Sequence, residues 1–269
     1  MSTTNERMSN APVYYALIQV KFTPIAAMNK YVADIQDALR VEGFPLFEVN
    51  ASTQLKFEMR SPNEPPIPSF ESVTQWLMMN AEKTAGFVLG NDFITYHTTD
   101  YVTHKPFIAS LLLGLGKVLE FAKPTFVSRI GLRYLDAIIP QGDESLESYL
   151  AKELHGVEFG LTPIQAIQES VFQTSVEPLI PQGFMISRIH KMNSQLGFPP
   201  DMVPNGIAPL PRFTNTEHRW HAIIDTDHYV EGNMQPNLEL IEKQLLSLHG
   251  KVKEAFQGMV SDFARSKWN

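Results

Sequence analysis

At 269 residues, with 43% hydrophobic and 19% charged side chains, the chain is long enough for one large domain or two packed halves, and its composition argues against disorder over most of its length. A formal charge of −7 gives no global attraction for phosphate backbones or anionic lipid, so nucleic acid would need a local basic patch. The absence of cysteine excludes disulfides, thiolate metal sites and cysteine nucleophiles together, and fits a reducing cytoplasm.

Residues 1–10 are polar, without the basic and apolar blocks of a secretion signal, and read as a flexible tail. Residues 14–22 (YYALIQVKF) alternate, with Ala16, Ile18, Val20 and Phe22 on one side and Tyr15, Leu17, Gln19 and Lys21 on the other, which predicts a strand with one strongly apolar face. Met28, Tyr31, Val32, Ile35 and Leu39 then recur at helical spacing up to Gly43 and Pro45. A strand is predicted over 55–59, and the four prolines within 61–69 predict an exposed loop. Short apolar runs at 76–80, 86–89 and 93–97, parted by turn residues, predict an antiparallel meander. Pro106 opens a predicted core helix that Pro124 ends. The apolar run 107–119 inside it is too short for a bilayer, and Gly114 and Gly116 suit close helix packing. A strand over 126–138 closes this part.

The second part opens on a predicted helix over 144–154, followed by strands at 170–176 and 184–190. Between 191 and 217 lie five prolines and little periodicity, a long loop of the kind that usually has a functional reason. A strand follows at 219–229. Leu238, Ile241, Leu245, Leu248, Val252, Phe256, Met259 and Phe263 then predict one long amphipathic helix, packed either on its own sheet or on a second chain as a homodimer seam. The expectation is an α+β fold of antiparallel sheets packed by helices, in two similar-sized halves at 11–140 and 141–269 or one continuous domain, located in the cytoplasm.

Two constellations carry possible chemistry. In 128–136 (SRIGLRYLD), alternation puts Ile130, Leu132 and Tyr134 on one face and Arg129, Gly131 and Arg133 on the other. Two guanidinium groups beside a bare glycine suit a carboxylate, a phosphate or an acidic partner surface, with internal salt bridges as the alternative. Arg188 and His190 share a strand face and would extend this basic surface if the strands are neighbours. In 218–228 (HRWHAIIDTDH), His221, Asp225 and Asp227 share a face, a possible zinc or divalent-ion set. Strand geometry spaces i and i+4 by about 13 Å, too far for His221 and Asp225 to hold one ion, so no metal and no other cofactor is expected. His97, His104, His155 and His249 are scattered and read as structural or exposed. Walker A, dinucleotide-glycine, HExxH and GxSxG patterns are absent.

The Ala11-Pro12-Val13 lead into a strand, the Arg129-Ile130-Gly131-Leu132-Arg133-Tyr134 block and the C-terminal helix together resemble a sporadically distributed bacterial family of uncharacterised proteins, over residues 11 to about 265. Where that family often carries Glu soon after Pro-Val and Asn after the tyrosine, this chain has Tyr15 and Asp136. The resemblance implies no catalytic residues. Its patchy distribution implies mobile genes such as phage-defence or toxin-antitoxin loci, where a non-enzymatic protein often controls a neighbouring effector. The leading expectation is a non-catalytic regulatory or accessory protein that binds another protein. The alternatives are a nucleotide or nucleic-acid binder using the same arginines with Tyr96 or Trp220 to stack bases, and a metal-dependent hydrolase at His221, Asp225 and Asp227.

Overall fold

The two faces read in residues 14–22 belong to the central strand of one sheet, β1 (Val13–Phe22). The computed structural model describes residues 8–58, 67–157, 159–161, 163–202, 204–214 and 217–269. In chain order the elements after β1 are α1 (Val32–Val41), β2 (Leu46–Glu58), β3 (Ile67–Met79), β4 (Ala85–Leu89), β5 (Phe93–Thr98), α2 (His104–Phe121), β6 (Val127–Ile138), α3 (Leu146–Tyr149), β7 (Gln165–Ser175), β8 (Gln182–Ser194), β9 (Arg219–Met234), α4 (Leu238–Met259) and α5 (Asp262–Trp268). The nine strands form one sheet in the order β2-β3-β4-β5-β1-β6-β9-β8-β7, and every pairing is antiparallel. The α+β class therefore holds, and the two expected halves share a single sheet because β6 pairs with β1 on one side and β9 on the other.

Helices cover one face of this sheet. Ala16, Ile18, Val20 and Phe22 of β1 and Ile130, Leu132 and Tyr134 of β6 pack in one core with Val32, Ile35 and Leu39 of α1, Phe107 to Val118 of α2, and Ile241, Leu245, Leu248 and Val252 of α4. The apolar stripe of α4 is thus buried on its own subunit, leaving other surfaces for any second chain. Gln244 in that stripe is fully buried, and its carbonyl oxygen accepts hydrogen bonds from the amides of Leu179 and Ile180, tying the β7–β8 connection to the helix.

The opposite face is covered in part by the proline-rich segment after β8. Met202, Ile207 and Phe213 of that segment pack with Tyr14, Tyr15, Leu77, Met79, Leu135 and Ile223. Among the described residues, no helix is long and apolar enough to cross a membrane.

Several expected boundaries move for identifiable reasons. The terminal helix breaks at Val260, which turns extended to bridge Leu150, and Ser261 then caps α5 by accepting from the Ala264 amide. The helix expected over 144–154 is cut to α3 and a 3-10 turn at Lys152–Leu154, because Leu150 is the extended partner in the same bridge. The expected proline loop at 61–69 is shorter, since β3 already runs from Ile67. Its residues 61–66 lie outside the described residues.

The close-packing role read for the helix glycines applies to Gly114 alone. A methyl group on Gly114 would stand 2.4 Å from the Phe87 ring, whereas one on Gly116 would meet only a Leu238 methyl at 3.7 Å. Gly114→Ala is therefore expected to destabilise by about 1–3 kcal/mol. Gly116→Ala is expected to be neutral or to stabilise by about 0.5–1 kcal/mol through helix propensity. A lowered urea-denaturation midpoint for Gly114→Ala beside an unchanged or raised one for Gly116→Ala is expected, and equal midpoints would contradict the distinction.

Candidate functional site

Where the proline-rich segment ends its cover, the helix-free face of the sheet opens into a cleft of about 550 Å³. Its floor is built by alternation: Gln19 and Lys21 from β1, Thr95 and Phe93 from β5, Arg129 and Arg133 from β6, and Asp227, Tyr229 and Glu231 from β9. Gln75, Asp201 and Asn205 stand along its border, and a second depression of about 640 Å³ adjoins it through Gln19, Lys21, Gln75 and Phe93.

Arg133 holds the inner end of this cleft. Its Nε and Nη2 donate to the two carboxylate oxygens of Asp225 at 2.7 and 2.6 Å, while Nη1 and Nη2 donate to Asp201 at 2.7 and 3.1 Å. Asp225 is fully buried. Burial raises its pKa, but the His190 imidazole 3.8 Å away and the much closer Arg133 guanidinium pull it below the ordinary carboxylate value overall. The guanidinium of Arg133 is itself opposed by burial, and the two carboxylates overcome this and raise its pKa.

Arg129 is held more loosely. It stands 3.5 Å from Asp227 and 3.6 Å from Glu231, with its guanidinium 4.3 Å over the Tyr229 ring. Gly131 explains this pose, since a methyl group there would meet the Tyr229 Cβ at 2.9 Å and Arg129 Nη1 at 3.0 Å. The room that the missing side chain leaves is filled by the arginine of its own strand. Asp227 is raised in pKa by burial, which the arginines at 129 and 133 only partly offset.

The sequence-predicted residues other than His221 thus meet in one place, as partners. Alternation puts Arg129, Gly131 and Arg133 on the expected face. β9 lies between β6 and β8, however, so Asp225 and Asp227 stand between Arg129 and Arg133 on one side and Arg188 and His190 on the other. Arg188 donates to Glu169 at 2.6 Å and reaches Asp225 at 3.5 Å. The basic surface and the acidic set, read as two candidate sites, are two sides of one ion-pair ladder. Nδ1 of His221 lies 3.0 Å from the carbonyl of Arg219, and among the described residues no three His, Asp or Glu side chains converge to hold a metal ion. Tyr96 lies on the other face, packed among Phe44, Phe87 and Phe107, and Trp220 packs beside the α3–α5 core, so neither offers a ring to a base in the cleft. Asp201 was missed because nothing in a proline-rich loop marks which residue returns to the sheet. The chain matches no protein-family model and no curated protein.

Removing one partner of a buried ion pair leaves the other charge desolvated. Arg133→Ala is expected to cost about 3–5 kcal/mol of stability, measured by chemical denaturation at pH 7. Because the folded pKa of Asp225 is depressed, the stability it contributes is present above the ordinary carboxylate range and is lost as pH falls through that range and below. In Asp225→Asn, stability is accordingly expected to fall less steeply between about pH 5 and pH 2 than in wild type. An equal slope would remove Asp225 from the acid-sensitive set.

Proposed function

We propose that this chain is a non-catalytic regulatory or accessory protein whose open cleft seats a polar segment of another protein. The observation that carries the reading is the juxtaposition of both charge signs on the floor of the open cleft. Lys21 stands opposite Arg129 in the β1–β6 register, and Arg129 stands opposite Glu231 in the β6–β9 register. Such a floor complements a segment that itself carries both a carboxylate and a cation. Gln19, Gln75 and Thr95 beside it supply donors and acceptors for a peptide backbone.

A phosphate backbone suits this cleft poorly. Each arginine that would meet a phosphate already faces a carboxylate, and a uniformly anionic ligand would bring its charges against Asp227 and Glu231. Resemblance to a sporadically distributed family supports a partner encoded by a neighbouring gene, in a locus of the phage-defence or toxin-antitoxin kind.

Co-purification of the full chain with the products of its neighbouring genes tests the proposal. Lys21→Glu and Glu231→Lys change charges of the cleft floor, one half-buried and one exposed, without touching the core. Each is expected to weaken capture of the partner about tenfold, a change of about 1.4 kcal/mol. A chain that ignores its neighbours' products, or one whose main ligand is an oligonucleotide released by added salt, would contradict it.

A further inference from the structure

A second cavity lies on the other face of the sheet, between the N-terminal lead into β1, the start of α2 and the middle of α4. It measures about 170 Å³, a volume for a small molecule. Its walls are mainly apolar and aromatic, from Val13, Val102, Tyr101, Tyr134, Val252 and Phe256. Asp136 forms part of its lining and is only 4% exposed. Alternation along β6 puts this carboxyl on the helix side with Tyr134, away from the arginines of the cleft. Among the described residues, no hydrogen bond or ion pair reaches it.

The groups that face Asp136 do not neutralise it. Tyr134 comes from its own strand, Tyr101 from the segment before α2, His104 from α2, and His249 and Lys253 from α4, while Tyr14 of β1 is turned to the opposite face of the sheet. Tyr134 and His249 are already joined, with the tyrosine oxygen 3.1 Å from Nδ1, and His104 stacks on His249 at 4.3 Å between ring centres. Burial, with His104 and Lys253 adding to it, pushes His249 down to about 4, so its ring is neutral at pH 7. Lys253 is exposed to solvent. Left alone in this setting, Asp136 is raised by burial to about 8.

The chemistry of the lining selects among ligands. An anion would meet a carboxyl in apolar surroundings. A purely apolar molecule would leave that carboxyl unsatisfied. A hard divalent ion needs about six oxygen ligands, and one carboxyl does not supply them. A small organic ammonium meets both features, pairing with the carboxylate and laying its apolar part against the aromatic rings, whose faces attract cations.

We infer that this cavity is a binding site for a small organic amine, held as its ammonium form by Asp136 and enclosed by Tyr101, Tyr134 and Phe256. The site is independent of the cleft on the opposite face and of the partner proposed for it.

Calorimetric titration of the full chain with benzylamine tests this, with benzyl alcohol as an uncharged molecule of similar size. Saturable benzylamine binding is expected at pH 8, with affinity falling about tenfold for each unit of pH well below 8, because the carboxyl must give up its proton to pair with the amine. Benzyl alcohol is expected to bind at least about tenfold more weakly. Asp136→Asn removes the charge at nearly constant size and should fold at least as well as wild type, since ionising this carboxyl in place is unfavourable. It is expected to lose the amine. Val102→Trp, at an exposed residue of the lining, keeps the carboxyl and is expected to lose the amine by filling the opening. Absence of benzylamine binding overturns the inference, as does equal binding by either variant, equal affinity for the alcohol, or affinity that rises as pH falls.

Discussion

Arg133 lies between two carboxylates, and the arrangement of the helix-free face depends on that clamp. Asp225, fully buried on β9, would keep only the longer contacts to Arg188 and His190 without it. Asp201, far along the chain in the proline-rich segment, is drawn onto the same guanidinium. One side chain therefore joins the β6–β9 ladder to the segment that covers part of this face. Phe198 and Phe213 pack on Tyr14 beneath that cover, and the Ala208 amide donates to the Lys83 carbonyl at its far side. The cleft is the part of the face that the anchored segment leaves open, so its outline is set by where Arg133 holds Asp201.

The same strand supplies both faces with chemistry. Successive residues of β6 point to opposite sides, so Arg129 and Arg133 enter the cleft while Tyr134 and Asp136 enter the helix layer. This explains how two polar regions of different character sit within a few residues of each other. On the cleft side charges meet charges and are satisfied. On the helix side a carboxyl meets aromatic rings and a neutral imidazole, and its ionisation is suppressed.

Much of this was legible in the sequence wherever periodicity alone decides. The faces of β1 and β6, the meander of β3 to β5, the core helix α2 and the apolar stripe of α4 all follow from spacing. What stayed hidden needed strand order. Reading 128–136 and 218–228 separately gives a basic patch and an acidic set. Only the placement of β9 between β6 and β8 turns them into partners, and neither segment encodes its neighbours. Local pattern also failed where a long-range contact overrides it, as at Leu150 and Val260, whose bridge interrupts two helices. His104 and His249 lie 145 positions apart and looked unrelated until α2 and α4 packed side by side.

Hydrogen exchange of Asp201→Asn against wild type tests the clamp most directly, because it reports the segment and the sheet separately. If Arg133 anchors the cover, amides between 195 and 214 exchange faster in the variant while the β6–β9 ladder keeps its protection through Asp225. Unchanged protection of the segment, or equal loss across segment and sheet, would contradict it.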